Sequence, residues 1–153
     1  MTRSRRVQML ALAGSAGLLL GALAFQYIGG MAPCALCIWQ RWPHVVALVA
    51  GAGLILPGPW AVLGALGTAG SGVIGVYHTG VERGWWEGPS SCTSGGDLSG
   101  LTAQELLNQI MAAPVVRCDE VPWEMLGLSM ASWNAVLSFG LAGLWLLSLR
   151  LRG

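Results

Sequence analysis

The chain has 153 residues, 54% hydrophobic and 10% charged, and its eight basic residues nearly balance seven acids at a formal net charge of +1. A soluble domain carries about 25% charged residues. This composition, with a mean hydropathy of +0.62, therefore excludes a disordered chain, an ordinary soluble enzyme and a nucleic-acid binder with a basic face, and describes a small integral membrane protein.

The charges are unevenly placed. Arg3, Arg5 and Arg6 open the chain, and Arg150 and Arg152 close it. All the acids (Glu82, Glu87, Asp97, Glu105, Asp119, Glu120 and Glu124) fall within 82–124. No Asp, Glu, Lys or Arg occurs from Val7 to Gln40, from Trp42 to Val81 or from Met125 to Leu149. A helix needs about 20 apolar residues to cross roughly 30 Å of hydrocarbon.

The first stretch predicts one span, about 7–28. Its Arg-rich start and Ala22-Leu23-Ala24 have the outline of a signal peptide. The apolar run is about 22 residues, however, longer than the usual 7–15 of a cleaved segment, so we read it as a span. Pro57-Gly58-Pro59 divides the second stretch into two spans, about 38–56 and 61–80, because proline does not continue a helix. From Pro43 to Leu56 a helix would rise only about 21 Å. The second helix must start earlier, which holds Arg41 at membrane depth, where a charge either snorkels or has a function. The last stretch predicts a fourth span, about 126–149.

The expected fold is thus an all-α integral membrane protein, a four-transmembrane-helix bundle forming one membrane domain over 1–153. Its outer loops are about 29–37 and 81–125. Basic termini place both ends in the cytoplasm, with Pro57–Trp60 as a tight inner hairpin. Trp39, Trp42, Trp85, Trp86 and Trp123 then gather at the outer boundary as an aromatic belt. Ala13, Gly17 and Gly21, and likewise Gly64, Gly67 and Gly70, are small residues suited to close helix packing. In the second outer loop, Thr102-Ala103-Gln104-Glu105 has a capping-box pattern. Leu106, Leu107, Ile110 and Met111 follow at helical spacing. A helix of about ten residues is too short to span, and is expected to lie flat on the membrane surface.

All four cysteines fall in the outer segments, the side on which disulfides form. Cys34-Ala35-Leu36-Cys37 is a C-x-x-C motif. A disulfide across it would close too small a loop to stabilise much, whereas at a helix start the same spacing favours the reactive thiolate. Pro33 suits a first helical position. On a continuous helix Cys34, Cys37 and Arg41 share a face that His44 extends by one turn. The pattern describes a redox-active dithiol. It also fits half a zinc site, but no second half completes it, and no metal is expected. Cys92 and Cys118 are 26 residues apart, a spacing that suits a structural disulfide. The polar, Gly-rich Ser90–Gly96 setting instead predicts Cys92 exposed on a mobile loop. Tyr77 and His78 end the third span. Counted from the Pro57–Pro59 turn, Arg41 and His78 rise to a similar level, about 24–28 Å.

Taken together, Pro33-Cys34-Ala35-Leu36-Cys37-Ile38-Trp39-Gln40-Arg41, Tyr77-His78 followed by Cys92, and Cys118-Asp119-Glu120 leading into Trp123 and Leu126-Gly127-Leu128 closely resemble the bacterial disulfide bond formation protein B (DsbB) family. That family is itself the known example of a periplasm kept oxidising through a quinone. The resemblance implies a multi-pass protein of the bacterial inner membrane, monomeric, with periplasmic cysteine loops. It implies a protein-dithiol:quinone oxidoreductase that sustains disulfide formation by reoxidising a soluble thioredoxin-fold (DsbA-like) thiol oxidase. Its cofactor would be a membrane quinone, ubiquinone or menaquinone. Cys92 would form the mixed disulfide with the partner, and Cys118 would resolve it and pass electrons on by pairing with Cys34. Cys37 would be the thiolate that engages the quinone, Arg41 the cation that holds it, and His78 a further quinone-side residue. Gln40 stands where some members carry an acidic residue. Two other readings compete: a vitamin K epoxide reductase-like oxidoreductase, whose C-x-x-C lies late in the bundle, and a non-catalytic membrane protein with structural outer disulfides, against which the short C-x-x-C loop argues.

Overall fold

A computed structural model describes residues 2–54, 59–92, 102–112 and 116–151. Helix α1 (Arg3–Tyr27) is capped by Thr2, whose hydroxyl accepts from the Arg5 amide. Helix α2 (Ala35–Val49) begins three residues earlier than expected, with Cys34 as its N-cap and Pro33 just outside it. It does not continue as α-helix to residue 56. At Ala50–Leu54, where Gly51 and Gly53 weaken the helix, it tightens into a 3-10 turn. Helix α3 (Trp60–Glu82) follows. The expected hairpin at Pro57-Gly58 lies outside the described residues, as do Asp97 and Arg152. The loop helix forms as α4 (Ala103–Ala112), and its capping box is made: the Glu105 amide donates to Thr102 Oγ1 at 3.3 Å, and the Thr102 amide to Glu105 Oε2 at 2.8 Å.

The fourth long helix, α5, covers Met130–Arg150 and starts four residues later than expected. Residues 126–129 belong instead to a short antiparallel hairpin, β1 (Glu124–Met125) with β2 (Leu128–Ser129). Its two turn residues, Leu126 and Gly127, both have positive φ, 55° and 74°, the requirement of a tight two-residue hairpin turn. Ser129 then caps α5, its hydroxyl accepting from the Ser132 amide at 3.2 Å.

Among the described residues α1, α3 and α5 are long and apolar enough to cross a membrane. Their packing is that of a membrane bundle, with small and polar residues inside and large apolar ones outside. Gln8, Ser15, Thr68, Ser71, Ser138 and Ser148 are buried, whereas Leu10, Leu20, Leu66, Val73 and Leu146 are exposed. Lipid solvates such leucines as well as a core would, so association rests on close approach and interhelical hydrogen bonds. Ser4 Oγ donates to the Ser148 carbonyl at 2.7 Å, tying α1 to α5. At Gly64 a Cβ would meet the Trp145 ring at 2.4 Å, and at Gly67 it would meet the Pro43 carbonyl at 2.7 Å. These two glycines set how closely α3 approaches α5 and α2. Gly17 and Gly21 do not work this way. Nothing lies within 4 Å of a Cβ placed on either, and both line a cavity between the helices.

Candidate redox and cofactor site

The site lies where the start of α2, the end of α3, the start of α5 and the 116–123 segment meet. Cys92 and Cys118 form a disulfide, with Cα atoms 5.0 Å apart, and the Cys118 amide donates to the Cys92 carbonyl at 3.2 Å. Neither cysteine has any exposed surface. This corrects the expectation of an exposed Cys92. The sulfur is packed with Cys34, Leu36 and Val81, so burial against the helix ends overrides the polar sequence around it. The expected loop context from Thr93 to Gly96 lies outside the described residues.

Cys34 and Cys37 are free. The cap geometry turns the Cys34 sulfur back onto the first turn of α2, where it accepts from the Cys37 amide at 3.2 Å. The two sulfurs are then 2.7 Å apart, in direct contact. Cys34 is buried and Cys37 half-buried, and both line the cavity between the helices.

His78, on α3, sits on the other side of Cys34, with Nε2 3.6 Å from its sulfur. The Cys34 sulfur, a His78 ring nitrogen and the Cys118 sulfur all lie within 4.8 Å of one another. Such a group can ligate a metal, but here the Cys118 sulfur is bonded to Cys92. The Cys34 sulfur thus neighbours both the Cys37 sulfur and the Cys118 sulfur, and disulfide exchange needs such a common neighbour.

Arg41 projects toward α1, where its Nη1 donates to Gln26 Oε1 at 2.6 Å. Its Nε is buried without a hydrogen-bond partner. Cys37, Arg41, His44 and His78 all line one cavity of about 440 Å³, whose walls are otherwise largely apolar, with Leu18, Ala22 and Leu137 among them. Cys37, Arg41 and His44, the sequence-derived face of α2, thus line the same cavity as His78. His44 is buried deeper, with Nε2 3.3 Å from Asn134 Oδ1 and 3.1 Å from Ser138 Oγ.

Four further residues belong to the site and were not singled out from the sequence. Gln26 holds Arg41. Asn134 donates to Gln40 Oε1 at 2.7 Å. Glu82 lies 3.9 Å from His78 Nε2 and accepts from the Ser129 hydroxyl, which ties α3 to the start of α5. Gln26 and Asn134 were visible as strongly polar residues inside apolar spans, a signal of function at membrane depth. In the 116–123 segment, Arg117 forks onto Asp119 through both its Nε, at 2.9 Å, and a terminal nitrogen. The guanidinium holds the Asp119 carboxyl below the ordinary aspartate range and fixes the residues on either side of Cys118.

The chain is similar to proteins of one known family. Residues 4–148 match the family model of disulfide bond formation protein DsbB. Similar proteins include disulfide bond formation protein B of Verminephrobacter eiseniae, 34% identical over 97% of this chain and 87% of that one. The proteins of the same name from Shewanella sp. (strain MR-4) and Albidiferax ferrireducens are 34% and 33% identical, over 88% and 95% of this chain and 81% and 86% of theirs.

Proposed function

The chain belongs to the DsbB family, multi-pass membrane oxidoreductases of disulfide bond formation, and from that premise we propose that it oxidises a periplasmic DsbA-like dithiol and delivers the electrons to a membrane quinone. The observation that carries this reading is the position of Cys34, in contact with Cys37 and within 4.8 Å of Cys118.

In the proposed cycle both pairs begin as disulfides. A partner thiolate attacks the Cys92 sulfur; the Cys92–Cys118 bond breaks and its electron pair leaves on Cys118. Because Cys92 is fully buried, docking has to turn its segment outward. The Cys118 thiolate then attacks Cys34, forming Cys34–Cys118 and releasing Cys37 as a thiolate at the cavity wall. The start of a helix and the Arg41 guanidinium one turn on both favour that charge. The partner's second thiol closes its own disulfide and frees Cys92, which attacks Cys118 and returns Cys34.

The cavity fits a quinone head: it is mostly apolar, it contains Cys37, and Arg41 offers it a buried Nε without a partner. Arg41 would hold a ring oxygen, and His78, a quinone-side residue by the resemblance, lines the same cavity. When bound, a quinone supplies a two-electron, two-proton acceptor. Gly17 and Gly21 leave the α1 wall open to a long apolar tail.

The same reading places the protein in the bacterial inner membrane as a monomer, with one domain over 1–153 and both termini cytoplasmic. It makes α2 with its 3-10 turn the fourth span, since 15 α-helical and five 3-10 residues rise about 32 Å. Helix α4 would then rest on the outer membrane surface, its exposed Leu107 and Met111 against lipid. The test is to mix purified protein with a reduced thioredoxin-fold oxidase and a water-soluble quinone and follow quinone absorbance. Reduction that is lost in Cys37→Ala is expected. No reduction, or full reduction by Cys37→Ala, would overturn the proposal.

A further inference from the structure

Gln40 looks unremarkable in sequence, yet its side chain is buried between α3 and α5 and every polar atom of it is engaged. The hydrogen-bond directions around it can be worked out from groups with a single option. Ser71 Oγ donates its one proton to the Gln40 backbone carbonyl at 2.9 Å, a group that only accepts. Ser71 Oγ can therefore only accept from Asn134, 3.0 Å away, so that end of Asn134 is the NH2. The same NH2 meets Gln40 at 2.7 Å, which makes the Gln40 atom there the oxygen. The opposite end of Gln40 is then its NH2, in keeping with its 3.3 Å contact to the Leu36 carbonyl. That NH2 reaches His78 Nδ1 at 2.8 Å. His78 Nδ1 must accept, and the proton of the neutral ring is on Nε2.

From this chain of donors we propose that Gln40 is a positioning residue that fixes the tautomer of His78, so that the Nε2–H donates to the Cys34 sulfur. The role of Cys34 in exchange rests on the function proposed above; the tautomer does not. The groups around the ring are Cys34 at 3.6 Å, Glu82 at 3.9 Å, Gln40, and the Cys118 backbone as a further hydrogen-bond partner. When the Cys92 thiolate attacks Cys118 in a Cys34–Cys118 disulfide, a Cys92–Cys118 bond forms and the electron pair of the broken bond goes to Cys34. The Nε2–H donates to the sulfur as that charge develops, and no proton is gained or lost in the step. The other tautomer would present a lone pair to the same charge. A carboxylate at position 40 would favour that other tautomer, because it could only accept from Nδ1–H.

Because the chain has two histidines, 15N-histidine labelling of the intact protein in nanodiscs reads the tautomer directly. A His44→Asn variant assigns the His78 signals. The expected wild-type spectrum has a pyridine-type Nδ1 and a pyrrole-type Nε2 for His78. A pyrrole-type Nδ1 overturns the proposal, whatever the quinone assay shows. In Gln40→Glu, Nδ1 is expected to become pyrrole-type, and the release of Cys34 from a trapped Cys34–Cys118 disulfide to slow by about ten- to a hundredfold. An unshifted Nδ1 in that variant, or an unchanged release rate with a shifted one, overturns the assigned role. Inactivity in the quinone assay with the expected spectrum counts against the function and leaves the tautomer standing.

Discussion

Replacing Arg41 by Leu tests the cofactor site most directly. In the protein, one terminal nitrogen of Arg41 is committed to Gln26 at 2.6 Å, and the buried Nε has no partner. A hydrogen bond from this cation to a quinone oxygen is worth about 1.5–3 kcal/mol. At 1.36 kcal/mol per factor of ten, its loss raises the quinone KM by roughly 10- to 150-fold. The increase in KM should exceed any loss in kcat, because the same contact also holds the ground-state quinone. Arg41→Lys keeps the charge but loses the planar fork, and should fall between the two. Gln26→Ala removes only the neighbour that orients Arg41, so a smaller rise is expected. The assay is steady-state quinone reduction at saturating thiol donor, with thermal unfolding of each variant as the control. An unchanged KM in Arg41→Leu refutes the assignment. A KM rise matched by an equal rise in Gln26→Ala would move the contact from Arg41 to the shape of the α1–α2 packing.

The two kinds of glycine should behave oppositely. Gly21→Leu projects into the cavity with nothing within 4 Å of its Cβ, so it is expected to raise the quinone KM while leaving the unfolding temperature unchanged; a stability loss would show that Gly21 packs on a helix after all. Gly64→Ala drives a Cβ to 2.4 Å from the Trp145 ring and should cost about 1–3 kcal/mol, read as a lower unfolding midpoint, and normal stability would refute the close α3–α5 approach. Mixed with a partner that keeps only its attacking cysteine, the resting protein should hold Cys92 in the mixed disulfide and accumulate a Cys34–Cys118 disulfide with Cys37 released, detectable by peptide mass mapping; its absence would break the relay at that link. Asp119, held low by Arg117, stabilises the loop above its unfolded value near about 3.9 and loses this contribution as pH falls through its lower folded value. Its NMR titration midpoint should lie below about 3.9 and rise in Arg117→Ala; no change in the variant would refute the ion pair as the cause.

The elements built on charge-free apolar runs were legible in the sequence, as was α4, whose capping box is a local signal. The 3-10 turn after Val49 and the 126–129 hairpin were not, because both depend on short-range backbone preferences inside runs that still read as apolar. Leu126 adopting positive φ is a case where turn geometry beats a residue's own preference. In the site, Cys34, Cys37, Arg41 and His78, picked out by helical spacing and depth, line one cavity. Cys92 was misjudged because its neighbours in sequence are polar, while its neighbours in space are Leu36 and Val81. Glu82, Asn134 and Gln26 were missed because each contributes through a partner on another helix, and single-chain periodicity carries no information about partners.

In the relay proposed above, the positions of the sulfurs also bear on why electrons would move one way. Cys34 contacts Cys37 at 2.7 Å and has the Cys118 sulfur within 4.8 Å, so it can exchange with either while neither needs to travel far. Cys92 and Cys118 have no exposed surface and Cys34 almost none, which keeps small thiols in solution from short-circuiting the relay. In that relay a partner would have to open the Cys92 segment to begin, and that movement would separate the entry from the exit. At the proposed exit, Cys37 is the half-buried member of its pair and lines a largely apolar cavity. A charge released there has Arg41 one helical turn away to favour it and no second disulfide to attack. In that relay entry and exit are kept apart because both loop sulfurs stay covered until a partner docks while Cys37 is half-buried at the cavity, and Cys34, the sulfur common to both halves, is the one with a hydrogen-bond donor aimed at it.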